Sequence, residues 1–102
     1  MTLDELIEQC EDETVPYIER VLDESTVYRV FSPSTPEHVL KWHWDDEDRE
    51  IKILVDTDWK FQFDNKIPQV LQKNEIVKVK AGEYHRIIKG STYLAVKINK
   101  KK

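Results

Sequence analysis

Cysteine, glycine and long apolar runs are all scarce in this sequence, whose 102 residues include one cysteine and two glycines. The single cysteine, Cys10, excludes a disulfide framework and zinc modules built on two or four cysteines. No window approaches the roughly 18 consecutive apolar residues that a membrane-spanning helix requires. Residues 1–5 lack the basic stretch that opens a secretory signal. We therefore expect a soluble, cytoplasmic protein without a membrane partner.

Charged residues of both signs are present, but they are unevenly distributed. The formal net charge is −4, with 17 acids and 5 bases in residues 1–58 and 3 acids and 11 bases in residues 59–102. A chain of this length forms one domain rather than two, so we expect the two halves to interleave in one fold and offset each other. No basic patch with interleaved stacking aromatic residues is present, and we expect no nucleic-acid partner.

Residues 1–25 carry helical signals. Thr2 and Glu5 form a capping box, and the apolar residues that follow share one helical face: Leu3, Leu6, Ile7 and Cys10. This pattern predicts a helix over residues 2–11, on which Cys10 is a small buried hydrophobe. Pro16 suits the first turn of a second short helix, whose apolar residues would be Tyr17, Ile18, Val21 and Leu22. The sequence thus predicts an N-terminal extension of two short helices.

From residue 26 the apolar residues alternate with polar ones, which is the period of a β-strand. The alternation predicts strands over residues 27–31, 38–44, 50–55, 59–63, 67–71, 75–79, 84–89 and 92–98. About eight short strands separated by turn residues favour an antiparallel sandwich or barrel. We predict an all-β domain over residues 26–99, followed by a basic, solvated tail over residues 100–102.

The predicted strand 38–44 is unusual because both of its faces carry distinctive side chains. Strand alternation directs His43 and Asp45 to one side. The opposite side is apolar and needs a cover, since it carries Leu40, Trp42 and Trp44. The N-terminal helices or the second subunit of a homodimer would supply that cover.

His43 and Asp45 are also the pair that points most directly to chemistry. With a second histidine from elsewhere in the chain, they would form a set of two imidazoles and one carboxylate. Such a set suits Fe(II), Mn(II), Ni(II) or Zn(II) and leaves coordination positions open for a substrate. A structural alternative fits the same residues, because residues 45–48 could form an acidic turn with His43 hydrogen-bonded inside a barrel.

The surroundings of His43 and the segment Lys80-Ala81-Gly82-Glu83-Tyr84-His85 resemble the two sequence motifs of the cupins. The matching positions are His43, Gly82 and His85, and the resemblance covers residues 26–99. It implies the RmlC-like cupin fold, which is a double-stranded β-helix or jelly-roll barrel. It also implies that His43 and His85 are metal ligands, with Asp45 in place of a further histidine.

The sequence departs from the cupin motifs at the metal-binding glutamate. That position falls at Arg49 or, with the longer motif spacing, at Glu50. Because Arg49 alternates in phase with Ile51 and Ile53, we predict that Arg49 points into the barrel and that Glu50 does so only after a β-bulge. A guanidinium beside a divalent ion is unfavourable unless Asp45 neutralises it.

Three functions stay open at this point. The first is a cupin that binds a small molecule and a divalent metal (Fe, Mn, Ni or Zn) on His43, Asp45 and His85. The second is a metal-free cupin of the sugar- or carboxylate-binding or isomerase-like kind, in which Arg49 binds the ligand and His43 and His85 act as general acid and base. The third is a non-catalytic structural or interaction protein, in which Arg49 forms a buried ion pair. In the first two, the ligand-binding residues are His43, Asp45, Arg49 and His85.

Overall fold

The computed structural model describes residue 5 and residues 17–101, and its regular elements are almost all β-strands. The predicted helix over residues 2–11, with Cys10, lies almost entirely outside the described residues. The elements follow in the order β1 (Tyr17–Val21), β2 (Thr26–Phe31), a 3₁₀ helix (Glu37–Val39), β3 (Asp48–Ile53), β4 (Lys60–Phe63), β5 (Gln69–Val70), β6 (Ile76–Val79), β7 (His85–Ile88) and β8 (Leu94–Lys101). The prediction of an all-β fold is therefore confirmed. Within the described part of the chain, no helix has the length and apolarity needed to cross a bilayer.

Two antiparallel sheets face each other across the core. The five-stranded sheet has the order β1-β2-β8-β3-β6, and the three-stranded sheet has the order β5-β4-β7. Strand β8, the last in the chain, lies between β2 and β3, so that Ile98 pairs with Val27 on one side and with Ile51 on the other. The non-sequential strand order is that of the predicted jelly roll. Strand β8 also continues to Lys101, into the segment predicted as a basic tail.

The core fills the space between the sheets. Its largest fully buried side chains include Trp59, Ile53, Leu94 and Val79. Trp59 satisfies its indole N–H by donating to the carbonyl oxygen of Thr92, at 2.6 Å, so a large ring is buried without an unpaired donor. A smaller cluster of Ile18, Val30 and Ala95 packs separately from this main core.

The second predicted helix is wrong, because Tyr17–Val21 is strand β1. This strand pairs antiparallel with β2, with Tyr17 opposite Phe31 and Val21 opposite Val27. Ile18 is its one buried residue and packs in the cluster of Val30 and Ala95. The pairing with β2 and the burial of Ile18 outweigh the local helix signal, as tertiary context often does.

The predicted strand 38–44 is also wrong. Residues 37–39 form the 3₁₀ helix, and within the predicted strand only His43 makes a β-bridge, to His85. The 3₁₀ helix follows Pro36, whose ring fixes φ and which has no N–H to donate to a sheet. Trp42 and Trp44 are 40% and 53% exposed, so neither fills the core. The homodimer that would cover them stays a prediction.

Candidate metal centre

Two segments about 40 residues apart meet at the edge of the three-stranded sheet. The N–H of His43 donates to the carbonyl of His85 at 3.0 Å, and the N–H of His85 donates back to the carbonyl of His43 at 2.9 Å. Nearby, the N–H of Gly82 donates to the carbonyl of Asp45 at 2.8 Å. Gly82 has a φ of 79°, which glycine adopts without strain. The bonds bring both histidines and Asp45 to one end of the barrel.

A carbonyl oxygen two positions earlier holds each histidine ring. Nδ1 of His43 lies 2.9 Å from the carbonyl oxygen of Lys41, and Nδ1 of His85 lies 2.8 Å from that of Glu83. A carbonyl oxygen can only accept, so Nδ1 carries a proton in both rings, and a neutral ring held in this way keeps its lone pair on Nε2. Metal-binding histidines are typically oriented in this way, with the non-ligating nitrogen donating to a carbonyl or carboxylate.

Asp45 completes the cluster. One ligand atom each from His43, Asp45 and His85 lie within 4.8 Å of one another. Oδ2 of Asp45 is 3.4 Å from Nε2 of His85, and this oxygen is buried without a hydrogen-bond partner. Two lone pairs therefore face each other, and a buried acceptor without a donor costs about 1–3 kcal/mol. The donor set fits a cation, which would satisfy both atoms.

His85 is the most buried member of the cluster, at 4% exposed. Its ring stacks on that of Phe61, with centroids 5.4 Å apart and planes 11° from parallel. Burial lowers the pKa of His85, because desolvation penalises the imidazolium. The hydrogen bond to Glu83 opposes this shift, as does the charge of Asp45, whereas His43 and Arg49 reinforce it. The ring is therefore neutral near pH 7, which is the form that binds metals.

Arg49 points into the barrel, as strand alternation predicts, and Glu50 does not. Nη2 of Arg49 is 3.3 Å from Oδ1 of Asp45 and 3.1 Å from Oε1 of Glu47, whereas Glu50 pairs with Lys101 at 3.2 Å. One carboxylate oxygen of Asp45 thus faces Arg49, and the other faces His85. Glu47 is not among the predicted site residues, although it shares the two-residue phase of Asp45 and Arg49, and it offsets the guanidinium charge.

The cluster opens into a cavity of about 440 Å³, a volume typical of small-molecule sites. All four predicted ligand-binding residues line it: His43, Asp45, Arg49 and His85. Much of the remaining wall is apolar and includes Ile51, Ile53, Leu94 and Val96. Arg29, Tyr17 and Lys41 also line the cavity but are not among the predicted site residues. The feature of the sequence that could have identified Arg29 as a cavity residue is its alternation with Val27 and Phe31.

The fold is similar to that of solved cupin structures. One is an RmlC-like cupin family protein with a double-stranded β-helix fold from Methanocaldococcus jannaschii (TM-score 0.66, 15% identity, 87% of this chain and 82% of that chain). Others are a cupin-like protein from Thermotoga maritima MSB8 (TM-score 0.61, 17% identity, 81% of this chain and 65% of that chain) and the DMSP lyase DddQ from Ruegeria pomeroyi DSS-3 (TM-score 0.67, 14% identity, 89% of this chain and 49% of that chain). The chain spans less than two thirds of the length of the last two proteins. No protein-family model and no curated protein sequence matches the chain. The similarity to these solved structures shows that the chain has the cupin fold, as the motif resemblance implies.

Proposed function

We propose that this chain is a cupin that binds a small molecule in its barrel, with a divalent transition-metal ion held by His43, Asp45 and His85. The observation that carries the proposal is Oδ2 of Asp45, which is buried without a hydrogen-bond partner and lies 3.4 Å from Nε2 of His85. Two imidazoles and one carboxylate suit Fe(II), Mn(II), Ni(II) or Zn(II). This set would leave coordination positions for the ligand.

The metal ion, when bound, would act as a Lewis acid that polarises an oxygen of the ligand. The chain's own residues prepare the site. The carbonyl oxygens of Lys41 and Glu83 fix the two rings, with Nε2 left free on each. Arg49 holds Oδ1 of Asp45, and this contact leaves Oδ2 on the side of His85. Phe61 covers one face of the His85 ring and limits the access of water.

The charge of the cavity wall supports a second candidate, a metal-free cupin that binds a carboxylate or a sugar. Among the described residues, the cationic side chains that line the cavity are Arg29, Lys41 and Arg49, and the carboxylate that lines it is that of Asp45. In this case Arg49 contacts the ligand, while His43 and His85 act as acid and base. The third candidate, a structural protein, predicts neither metal nor ligand binding.

Metal analysis of tag-free protein, purified without chelators, tests the proposal. We expect about one equivalent of transition metal per chain, or uptake of that amount on titration with Zn(II) or Mn(II), because a dedicated site should take up its ion. His43→Ala and His85→Ala should each lower the content below about a tenth of an equivalent. His38→Ala is the matched control, because His38 is exposed and does not line the cavity.

Two results would count against the metal centre. One is wild-type protein that neither contains nor takes up metal, which would leave the metal-free candidates. The other is an equal loss of metal in the His38 control and the His85 variant, which would indicate adventitious binding at the surface.

A further inference from the structure

Arg29 is a further cation on the cavity wall, outside the cluster of His43, Asp45 and His85. It lies on β2 in alternation with Val27 and Phe31, and both of these belong to the main core cluster. Its partner across the β2–β8 pairing is Val96, which belongs to the same cluster. A guanidinium on an otherwise apolar inward face is costly to desolvate. Such a breach of the strand pattern is expected at functional sites.

Among the described residues, the hydrogen bonds and the cation–π contact of the Arg29 side chain come from the edge strand β1. Its Cζ lies 4.3 Å from the centroid of the Tyr17 ring, and its Nε and Nη2 both donate to the same oxygen, Oε2 of Glu19. None of the described residues accepts a hydrogen bond from Nη1. The guanidinium is thus held in one orientation while part of its donor fork is left for a ligand.

The charge around the cavity favours an anionic ligand. Arg29, Lys41 and Arg49 line the wall against Asp45, and Glu19 and Glu47 are the acids paired with the two arginines. The charges of these three cations and three carboxylates balance, so a divalent ion held by His43, Asp45 and His85 would leave a net positive charge. An anion would neutralise this charge, and the guanidinium would lose little conformational entropy on binding because it is already oriented. The apolar wall between the polar groups suits the hydrocarbon body of such a ligand.

We propose that Arg29 is the carboxylate-binding residue of this cavity and that the ligands are amphiphilic monocarboxylic acids. The carboxylate contacts Arg29, the apolar body lies along the wall, and a second polar group faces the metal. The contact with the metal and the net positive charge both rest on the proposed function, whereas the oriented guanidinium of Arg29 does not. The contrasting structural role is that Arg29 merely joins β1 to β2 through Glu19 and Tyr17.

Calorimetric titration with butanoate, hexanoate and octanoate, and with the matching amides, tests the inference on chelator-treated and metal-loaded protein. Arg29→Gln and Glu19→Gln form a matched pair, because both remove the same ion pair and only the first removes the guanidinium. We expect each acid that binds wild-type protein to bind at least about tenfold more tightly than its amide, the difference expected of a charge-assisted pair. Arg29→Gln should abolish this preference, and Glu19→Gln should preserve or increase it. If Arg29→Gln does not fold, Arg29→Lys replaces it in this test. Arg29→Lys keeps the positive charge but lacks the two-pronged donor geometry of the guanidinium, so it should lower the affinity for the acids severalfold.

Several outcomes would overturn the inference. These are equal affinity for acids and amides, no binding of any acid, or the same loss in the Arg29 and Glu19 variants. Metal content separates this failure from that of the proposed function, because Arg29 is not a ligand and Arg29→Gln should hold as much metal as wild type. A wild-type protein without metal but with the acid preference would contradict the metal centre alone.

Discussion

Replacing Asp45 with asparagine should stabilise the metal-free protein while abolishing its response to metal. Oδ2 of Asp45 is buried without a donor and faces the unprotonated Nε2 of His85 at 3.4 Å. The amide of Asp45→Asn can donate to that nitrogen, while its oxygen stays beside the guanidinium of Arg49, which lies 3.3 Å from Oδ1 in the ion pair. The variant thus removes an unfavourable contact and, with it, the charged metal ligand.

The magnitude follows from two opposing effects. Replacing the unpaired buried acceptor with an amide that donates to His85 should raise the free energy of unfolding by about 1–3 kcal/mol. Loss of the charge opposite Arg49 should cost about 1 kcal/mol, which is less than the roughly 3–5 kcal/mol for breaking a buried pair, because Glu47 still pairs with the guanidinium. The net gain of about 1 kcal/mol should raise Tm by about 4–8 °C in a domain of this size. Wild type at a metal concentration of 100 Kd should instead gain about 2.7 kcal/mol from binding.

Differential scanning calorimetry in EDTA and in excess Zn(II) measures both effects. Asp45→Asn should have the higher Tm in EDTA and show no shift with zinc, whereas wild type should shift upward. Asp56→Asn is the control, since Asp56 is an exposed loop residue. The reasoning fails if Asp45→Asn is less stable than wild type in EDTA, or if zinc stabilises it as much as it does wild type.

Two further predictions concern the turn that holds Trp59 in the core. Gly90→Ala should lower the free energy of unfolding by about 1–3 kcal/mol, because a Cβ there would lie 2.2 Å from Oδ1 of Asp58 and 2.8 Å from Cδ1 of Trp59. An unchanged urea midpoint would refute this. Hydrogen bonds from the side chain and backbone of Ser91 lower the pKa of Asp58 in the folded protein. The stability that these hydrogen bonds contribute is therefore fully present above the pKa of Asp58 in the unfolded chain. It is lost as the pH falls through the lower pKa of Asp58 in the folded protein. Asp58→Asn should therefore flatten the dependence of stability on pH below about pH 4, and an acid limb as steep as that of wild type would contradict the assignment.

Strand alternation was sufficient to predict the inward position of Arg49. Strand β3 is regular and pairs on both sides, Ile51 with Val77 and with Ile98, so the phase of its side chains carries through without a bulge. The proximity of His43 and His85 follows instead from the resemblance to the cupin motifs, because the predicted strand 38–44 does not form and a single bridge joins the two residues. Where pairing is regular, residue order alone indicates the face of each side chain.

The remaining errors arise where non-local contacts decide the structure. The apolar pattern of residues 38–44 resembles a strand, but Trp42 lies outside the core and packs against Arg86, with 4.7 Å between Cζ and the ring centroid. The strand character of β1 depends on pairing with β2, which local propensity does not report. The carbonyl oxygens of Lys41 and Glu83 orient the histidines through backbone atoms, which any residue type would supply.

The position of the metal ion tests the central claim most directly. Crystals of zinc-loaded protein, with data collected at the zinc edge, should show one anomalous peak at about 2.0–2.2 Å from Nε2 of His43, Nε2 of His85 and Oδ2 of Asp45. An anomalous peak bound elsewhere, or zinc-loaded crystals with no peak between these three side chains, would contradict the account.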